Sequence, residues 1–445
     1  MNCLNNNVLF WGFTTSDLKE VVKNICNINP NAVWVGKGKD CHLSIVDFYE
    51  YEIEKIKKIE NNNCSIKLTT DEKNRIYSVL QREFIAWGYS HIDFLQLTNF
   101  YINWYCSFLL EHKINLIWFS YIPHQGSELI LYYVSKHMKI KTKMFYQSLF
   151  SNRTFVIDEI DQFGDFPNYF GRYPKFSEKV VFGKPEQELF YMNNIAKPDS
   201  NFNFALKLIK KRIKNRVKGK VSQIGVIPLL HVLDVRKQWI NYLGNKKWDD
   251  VDVENMNYVY FPLHMQPELT TDPLGSFYSD QIFAIESLRK KIPKHVSIII
   301  KENPKQTFEW REVNFYKRIE RLENVFFVDS SVNTYYLLRH SQAVATITGT
   351  AGWEAILAGK PVIIFGSAWY KSLYGAFDVR KINFDWEKIE SFIADFDCVS
   401  KQLEKMASHL PEAITDMHYI AIYPQYNSLE NQNAIKSILC DGGEK

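Results

Sequence analysis

Short apolar runs and stretches of helical period alternate along this chain. Val8–Phe13 (VLFWGF) is an apolar run of strand length, and Thr14–Asn27 follows at helical spacing, with Thr15 or Ser16 as N-cap and Asp17 and Glu20 in the first turn. Ala32–Val35 is a second short apolar run ending at Gly36. Asn74–Trp87 and Phe94–Leu110 predict longer helices, Ile114–Ser120 a strand, Ser127–His137 a helix and Lys141–Gln147 a strand. Strands alternating with helices predict a parallel sheet in the first 150 residues or so.

The rhythm breaks between about Asp158 and Asn255, where aromatic, Pro and Gly residues cluster at Phe163–Pro174 and a basic helix is predicted over Leu206–Lys220. It returns at Tyr258–Leu263, with strands at Val296–Lys301, Val325–Val328, Ala343–Thr348 and Pro361–Phe365. The helices between them are Asp280–Lys291, Phe308–Leu322, Thr334–His340 and Gly352–Leu357. Trp386–Leu439 predicts several further helices. The organisation expected is therefore a Rossmann-like domain over 1–157, a connecting insertion over 158–256, a second Rossmann-like domain over 257–385 and a helical tail over 386–445. Two such domains put a cleft between them, and ligands of these sheets bind at the carboxyl ends of strands.

Composition narrows the class. The 445 residues are 46% hydrophobic and 23% charged, which excludes a disordered or collagenous chain. A net charge of +4 is too balanced to suggest a nucleic-acid partner. The seven cysteines include no CxxC pair, and their scatter fits free thiols in a reducing compartment. No secretory leader and no apolar stretch of membrane-spanning length is read, so a cytoplasmic protein is expected, at most resting on the inner membrane.

Candidate chemistry concentrates where strands end. In Thr348–Gly366 (TGTAGWEAILAGKPVIIFG) a strand runs through a small-residue turn into a helix starting near Ala351 or Gly352, the arrangement that lets a phosphate approach free amides. Thr348 and Thr350 add hydroxyls, and Glu354 is placed to accept from a ribose or to act as a favourable helix charge. Phe261–Asp272 (FPLHMQPELTTD) gathers His264, Gln266, Glu268 and Asp272, carboxylates suited to base, nucleophile or charge-stabilising work or to a polar capping loop. Lys301 in KENP suits a phosphate. In Tyr121–Glu128 (YIPHQGSE), His124 suits phosphate binding or proton transfer, and Glu128 is a catalytic carboxylate or a helix-dipole partner. Gln147 and Ser148 end the next strand toward the same cleft. The basic helix Leu206–Lys220 suits anionic lipid headgroups or a solvated face. G-x-S-x-G, Walker A and G-x-G-x-x-G patterns are absent from the sequence.

These segments together resemble the capsule polysaccharide biosynthesis family, which includes bacterial Kdo transferases. TGTAGWEAILAGKPVIIFG carries the likeness, with YVYFPLHMQPELTTDP as a strand plus Gln-x-Glu loop, SIIIKENP as a Lys-x-His-Pro-like segment with Asn303 in the His place, and PHQGSELILYYVSKHMKIKTKMFYQS as an N-terminal half-site. The resemblance implies an α/β GT-B-like glycosyltransferase. Its N-terminal Rossmann-like domain would hold the acceptor and its C-terminal one a nucleotide-sugar. It implies no cofactor and no metal, the leaving phosphate being met by cations and helix N-termini. Lys301, Asn303, Thr348, Gly349, Thr350, Gly352 and Glu354 would hold the nucleotide, Ser330 and Ser331 would add phosphate contacts, and Gln266, Glu268, Asp272 and Glu128 would surround the anomeric carbon. Glu268 or Asp272 would be the nucleophile of a retaining mechanism. The implied donor is a CMP-activated keto-sugar such as Kdo and the acceptor a glycan or lipid-linked glycan of capsule or lipopolysaccharide. A UDP- or GDP-hexose transferase, a polyol-phosphate transferase with a CDP-activated donor, and a non-catalytic glycan-assembly scaffold are the alternatives.

Overall fold

The computed structural model describes residues 6–59, 65–84, 91–150, 152–165, 180–183, 203–207, 209–210, 213, 226–246, 248–266, 271–308, 311–381 and 384–441. They form two compact units, the first drawn from 1–77, 92–180 and 397–445 and the second from 78–91 and 181–396. The basic helix expected over Leu206–Lys220 lies largely outside the described residues. No described helix is long and apolar enough to cross a membrane.

The chain opens with β1 (Val8–Trp11), α1 (Ser16–Ile28), β2 (Val33–Gly36), β3 (Leu43–Ser44), α2 (Ile45–Tyr49), α3 (Thr70–Phe84), α4 (His91–Glu111), β4 (Leu116–Phe119), α5 (Gly126–His137), β5 (Lys141–Gln147) and β6 (Thr154–Ile157). The first sheet has the order β3-β2-β1-β4-β5-β6, parallel throughout except for β6, which runs antiparallel to β5. Its inner strands are buried on both faces, which is why VLFW and LIWF read as unbroken apolar runs rather than alternations. Val8 and Phe10 face one core layer with Leu18, Val21, Val22 and Ile25 of α1, which share one helical stripe. Trp11 meets Phe48 and Tyr105 on the opposite face, with ring centroids 5.0 and 5.8 Å apart. The expected strand Val8–Phe13 is cut at Trp11, because Gly12 and Phe13 take φ of +91° and +55° and turn the chain off the sheet.

The second unit contains α6 (Val226–Asn245), β7 (Tyr258–Pro262), α7 (Thr271–Gly275), α8 (Gln281–Lys291), β8 (Ser297–Lys301), α9 (Val313–Glu320), β9 (Val325–Val328), α10 (Thr334–His340), β10 (Ala343–Thr346), α11 (Thr350–Leu357), β11 (Val362–Ile364), β12 (Ala376–Asp378) and α12 (Trp386–Glu390). Its sheet is entirely parallel, in the order β12-β11-β10-β7-β8-β9. Counted from β7, this is the strand order of the first sheet. Both units are thus Rossmann-like, the composition of an α/β GT-B-like fold, and their switch points lie between β1 and β4 and between β7 and β10. The helix expected over Phe308–Leu322 is shorter, Val313–Glu320, because the preceding residues serve a loop described below.

The last two helices, α13 (Phe396–Ala407) and α14 (Ser428–Asp441), belong to the first unit. Ile435, Ile438 and Leu439 of α14 complete the core layer under α1. Asp17 fixes this return. Its buried carboxylate accepts from Tyr426 Oη at 2.6 Å, Ser428 Oγ at 2.7 Å, Asn431 Nδ2 at 2.8 Å and Gln432 Nε2 at 3.3 Å. Burial raises the pKa of this carboxyl, and the four hydrogen bonds outweigh that effect and hold it below the ordinary value. Gln147 and Ser148, expected at the cleft, serve the same packing: Gln147 Oε1 accepts from Thr415 N–H at 2.8 Å, and Ser148 Oγ donates to Phe150 O at 3.0 Å. Cys106 in α4 is disulfide-bonded while Cys26 and Cys41 are free. That corrects the expectation of free thiols throughout.

Asp17→Ala should free α14 from α1. A hydrogen bond to a charged group contributes about 1.5–3 kcal/mol, so amide exchange across α14 should speed up markedly while the strands of the second unit keep their protection. The native Asp17 pKa lies below its unfolded value, so this stabilisation is present above the unfolded pKa and is lost as pH falls through the native one. Acidification should therefore loosen α14 in the native chain and change it little in the variant. Equal α14 exchange in both proteins at neutral pH would overturn this role.

Candidate active site

Three loops leave the carboxyl edge of the second sheet around its switch point, and buried side chains tie them together. The loop after β7 carries His264 and Gln266, and the loop after β8 carries Glu302, Asn303 and Gln306. Arg311, 0% exposed, joins them. Its Nε donates to Glu302 Oε2 at 3.0 Å, Nη1 to Gln266 Oε1 at 2.6 Å and Nη2 to His264 O at 2.6 Å. Gln266 and Gln306 bond reciprocally: Gln266 N–H donates to Gln306 Oε1 and Gln306 Nε2 to Gln266 O, both at 2.7 Å. Gln281 at the start of α8 does the same for His264, accepting its N–H at 2.8 Å and donating to its carbonyl at 3.1 Å. Tyr316 Oη closes the set on Glu302 Oε2 at 3.1 Å.

His264 extends the network to the turn after β10. Its Nε2 accepts from Ile347 N–H at 3.1 Å and lies 2.9 Å from Thr346 Oγ1, which in turn accepts from Gly349 N–H at 3.2 Å. Burial, aided by the Arg311 charge, pushes the imidazole pKa down to about 3, so the ring stays neutral and keeps an acceptor nitrogen. A side chain at Gly349 would come within 2.6 Å of His264 Cε1, and one at Gly352 within 2.2 Å of Tyr370 Oη. The glycines therefore let the turn seat between two fixed side chains. Tyr370 Oη itself donates to Gly349 O.

A second cluster lies on the opposite face of the sheet. Lys301 is buried at the end of β8, with Nζ donating to Thr334 Oγ1 at 2.7 Å. Burial lowers its pKa, and the Asp329 carboxylate partly restores it. Tyr260 lies beside Thr334 and faces Glu354. Glu354 in α11 is 6% exposed, and burial alone pushes its carboxyl up to about 7. At the β10 end, the buried Thr348 Oγ1 has no hydrogen-bond partner among the described residues.

The predicted site residues fall into three groups. Gln266 and Gly349 belong to the first network, Lys301 and Glu354 to the second cluster, and Thr348, Thr350 and Gly352 to the turn after β10, with Asn303 in the loop after β8. Asn303 Oδ1 accepts from Lys305 N–H at 2.9 Å, so its amide oxygen is spent on its own turn. Ser330 and Ser331 are exposed after β9, where Ser331 N–H closes a turn on Asp329. Asp272 is buried in the short helix α7, and Glu268 lies outside the described residues.

Glu128 and His124 sit in the first unit. Glu128 Oε1 accepts from Trp11 Nε1 at 3.1 Å and from Tyr49 Oη, and Oε2 accepts from His124 N–H at 3.0 Å and Gln125 N–H at 3.2 Å. Four donors on one carboxylate fit the helix-start reading of Glu128. His124 Nδ1 lies 2.9 Å from Ile122 O, which puts its proton there and makes Nε2 the lone-pair nitrogen in the neutral ring. Arg311, Gln306, Gln281 and Tyr370 were not anticipated. Nothing in the stretch Glu309–Val313 distinguishes Arg311 from a surface arginine, since its partners come from distant loops.

Arg311→Met should leave Glu302 buried without its counter-ion and cost about 3–5 kcal/mol of second-unit stability. Lys in its place would keep the charge but lose the three-way fork, and should recover only part of the loss. Calorimetry checks both variants, and a melting profile like the parent's would remove Arg311 from this role.

Residues 270–409 match the family model described as capsule polysaccharide biosynthesis protein. A curated relative, the capsule polysaccharide export protein KpsS of Escherichia coli, is 27% identical over 128 residues, 28% of this chain and 31% of that protein. The chain thus aligns with about a third of that relative's length. Among solved structures, the KpsC beta Kdo 2,7 transferase of Thermosulfurimonas dismutans matches at 13% identity and TM-score 0.28, over 68% of this chain and 86% of that one. The S. aureus MnaA–UDP co-structure matches at 11% identity and TM-score 0.24, over 98% and 97%. At these TM-scores the superpositions are too loose to transfer a ligand or a residue role. The matched stretch, residues 270–409, takes in Asp272, Lys301, Arg311 and the whole turn from Thr348 to Glu354, and over that stretch the chain is similar to the capsule polysaccharide biosynthesis family.

Proposed function

We propose that this protein is a glycosyltransferase of bacterial capsule polysaccharide synthesis and that its second unit binds the nucleotide-sugar donor. One observation carries the reading. The family-matched segment contains a buried ammonium at the end of β8, a buried hydroxyl after β10 with no partner among the described residues, and a glycine-lined helix start at α11. The first amides of α11 follow Gly349, which offers no side-chain cap, so their partial positive charge is available to an anion. Lys301 supplies a full charge, held in place by Thr334 and desolvated, which strengthens its pull on a phosphate. Asn303 is engaged in its turn, so the phosphate contact falls to Lys301 and the helix start. Glu354 accepts from ribose hydroxyls in its ionised form.

In this mechanism the leaving phosphate is stabilised by Lys301 and the α11 amides as the glycosidic bond breaks, with no step assigned to a metal. Glu268 or Asp272, in the stretch of sequence after β7, is the carboxylate of the reacting centre. A CMP-activated keto-sugar is the leading donor, and a glycan or lipid-linked glycan the acceptor.

Thermal shift with CMP, CDP, UDP, GDP and ADP tests the donor class. A ligand at 100 times its Kd stabilises by about 2.7 kcal/mol, and CMP should do so while Lys301→Met abolishes the response. UDP or GDP selectivity would replace the donor, CDP would favour polyol-phosphate transfer, and silence from all five would overturn the reading. The Glu354 carboxyl carries a second test. Its native pKa lies above the unfolded 4.5, so its contribution to stability is present at low pH and is lost as pH rises through about 7. Ribose hydroxyls favour the ionised form, so nucleotide affinity should rise through the same range, and Glu354→Gln should flatten that rise. An unchanged pH profile in the variant would remove Glu354 from the ribose contact.

A further inference from the structure

On the second unit a depression of about 400 Å³ lies between the end of α6 and the end of α9, lined by Asn241, Tyr242, Asn245, Lys246 and Glu320. None of these residues belongs to the strand-end cluster. The floor is rigid. Tyr242 stacks on Tyr316 with ring centroids 5.4 Å apart, and Tyr316 is itself pinned by Trp239 at 3.2 Å and by Glu302. Lys246 Nζ sits among three rings, 5.6 Å from Tyr242, 5.7 Å from Trp248 and 5.5 Å from Phe327. It also pairs with Glu320 Oε1, which accepts from Tyr242 Oη as well.

The charges of this site are therefore spent on each other, so neither a phosphate nor a free cation finds a surplus charge there. What remains is neutral or acceptor chemistry. Among the described residues nothing hydrogen-bonds Glu320 Oε2, the Asn241 side-chain amide or Asn245 Oδ1, while Asn245 Nδ2 donates to Asn241 O at 2.8 Å. Burial raises the Glu320 pKa, and the Lys246 and Tyr242 contacts outweigh it, so the carboxylate is ionised and accepts only. Vicinal hydroxyls, each both donor and acceptor, match a carboxylate oxygen flanked by two amides. The volume falls within the usual range of small-molecule sites, about 300–1,000 Å³.

We propose that this depression binds a neutral saccharide unit, distinct from the donor nucleotide. It gives the second unit a separate hold on a glycan chain, weak for one unit and strengthened when the same chain is held elsewhere. The proposal does not depend on the glycosyltransferase reading, because the depression needs no nucleotide.

Saturation-transfer difference NMR on the full chain tests it, with cellobiose, maltose and lactose as probes and inorganic phosphate as the charged control. At least one disaccharide should receive saturation. The exposed double substitution Asn241→Ala/Asn245→Ala should weaken that binding by about tenfold without moving the melting temperature. Glu354→Gln, which alters only the nucleotide site, should leave it unchanged. Transfer to none of the three sugars, transfer that survives the double substitution, or displacement by phosphate would each overturn the proposal. The nucleotide screen reports separately on the donor site, so failure of one reading is distinguishable from failure of the other.

Discussion

A guanidinium with no solvent contact has lost its hydration, at an effective cost of several kcal/mol per ion. Arg311 offsets that cost with one carboxylate and two neutral oxygens arranged on its fork, and with the face of Phe315 at 4.3 Å. All three acceptors lie on the loops that leave β7 and β8. The buried charge is satisfied only while those loops hold one mutual arrangement, so the same bonds that make it tolerable fix the geometry of the strand ends. An apolar side chain of similar volume would fill the space and specify nothing about where Gln266 or Glu302 must lie.

Strand order makes this constraint matter for chemistry. In both sheets the order reverses direction of travel beside the first strand, and the strand ends there diverge and leave room above the sheet. In the second unit His264 bridges the two strands at that point, from the end of β7 to the turn after β10. The bridge works because the ring is neutral: Nε2 must accept from Ile347 N–H, and protonation would turn an acceptor into a donor facing a donor. Arg311 nearby reinforces neutrality, so one buried cation both positions the β7 loop and protects the bridge to β10. In the first unit the corresponding helix start is closed by Glu128, whose carboxylate is consumed by four donors. The α11 start has no such closure, and the two units have thus kept one topology while filling its switch point differently.

Much of this was legible in the sequence. Unbroken apolar runs such as VLFW, SIIIK and AVAT are what strands buried on both faces require, so the alternation that defines the fold class reads directly. The turn TGTAGWE reads as well, because its glycines answer a local steric demand. The signal fails where partners are distant. Arg311 resembles any surface arginine until Glu302, Gln266 and His264 are brought around it, and Asp17 resembles a first-turn helix charge until α14 returns to it over 400 residues later. The short strands β3 and β12 carry too few residues for a pattern to show. Glu128 was legible only as a choice between chemistry and helix start, and four specific donors favour the second.

Lys301 and Glu354 each carry a burial penalty that a purely structural core would avoid. Holding Glu354 ionised at its present depth costs about 3 kcal/mol relative to water, and Lys301 pays a similar kind of penalty with only a hydroxyl on its ammonium and Asp329 as its opposing charge. Three structural networks of this chain treat their charges differently: Asp17 has four donors, Glu128 four and Arg311 a full fork. The contrast is physical rather than statistical. Lys301, Glu354 and the Thr348 hydroxyl are less fully satisfied by the described residues than the ions of those three networks. A ligand that brings an anion to Lys301 and hydroxyl donors to Glu354 would relieve both penalties at once, and the energy released on binding would then be the energy the empty fold withholds from its own stability.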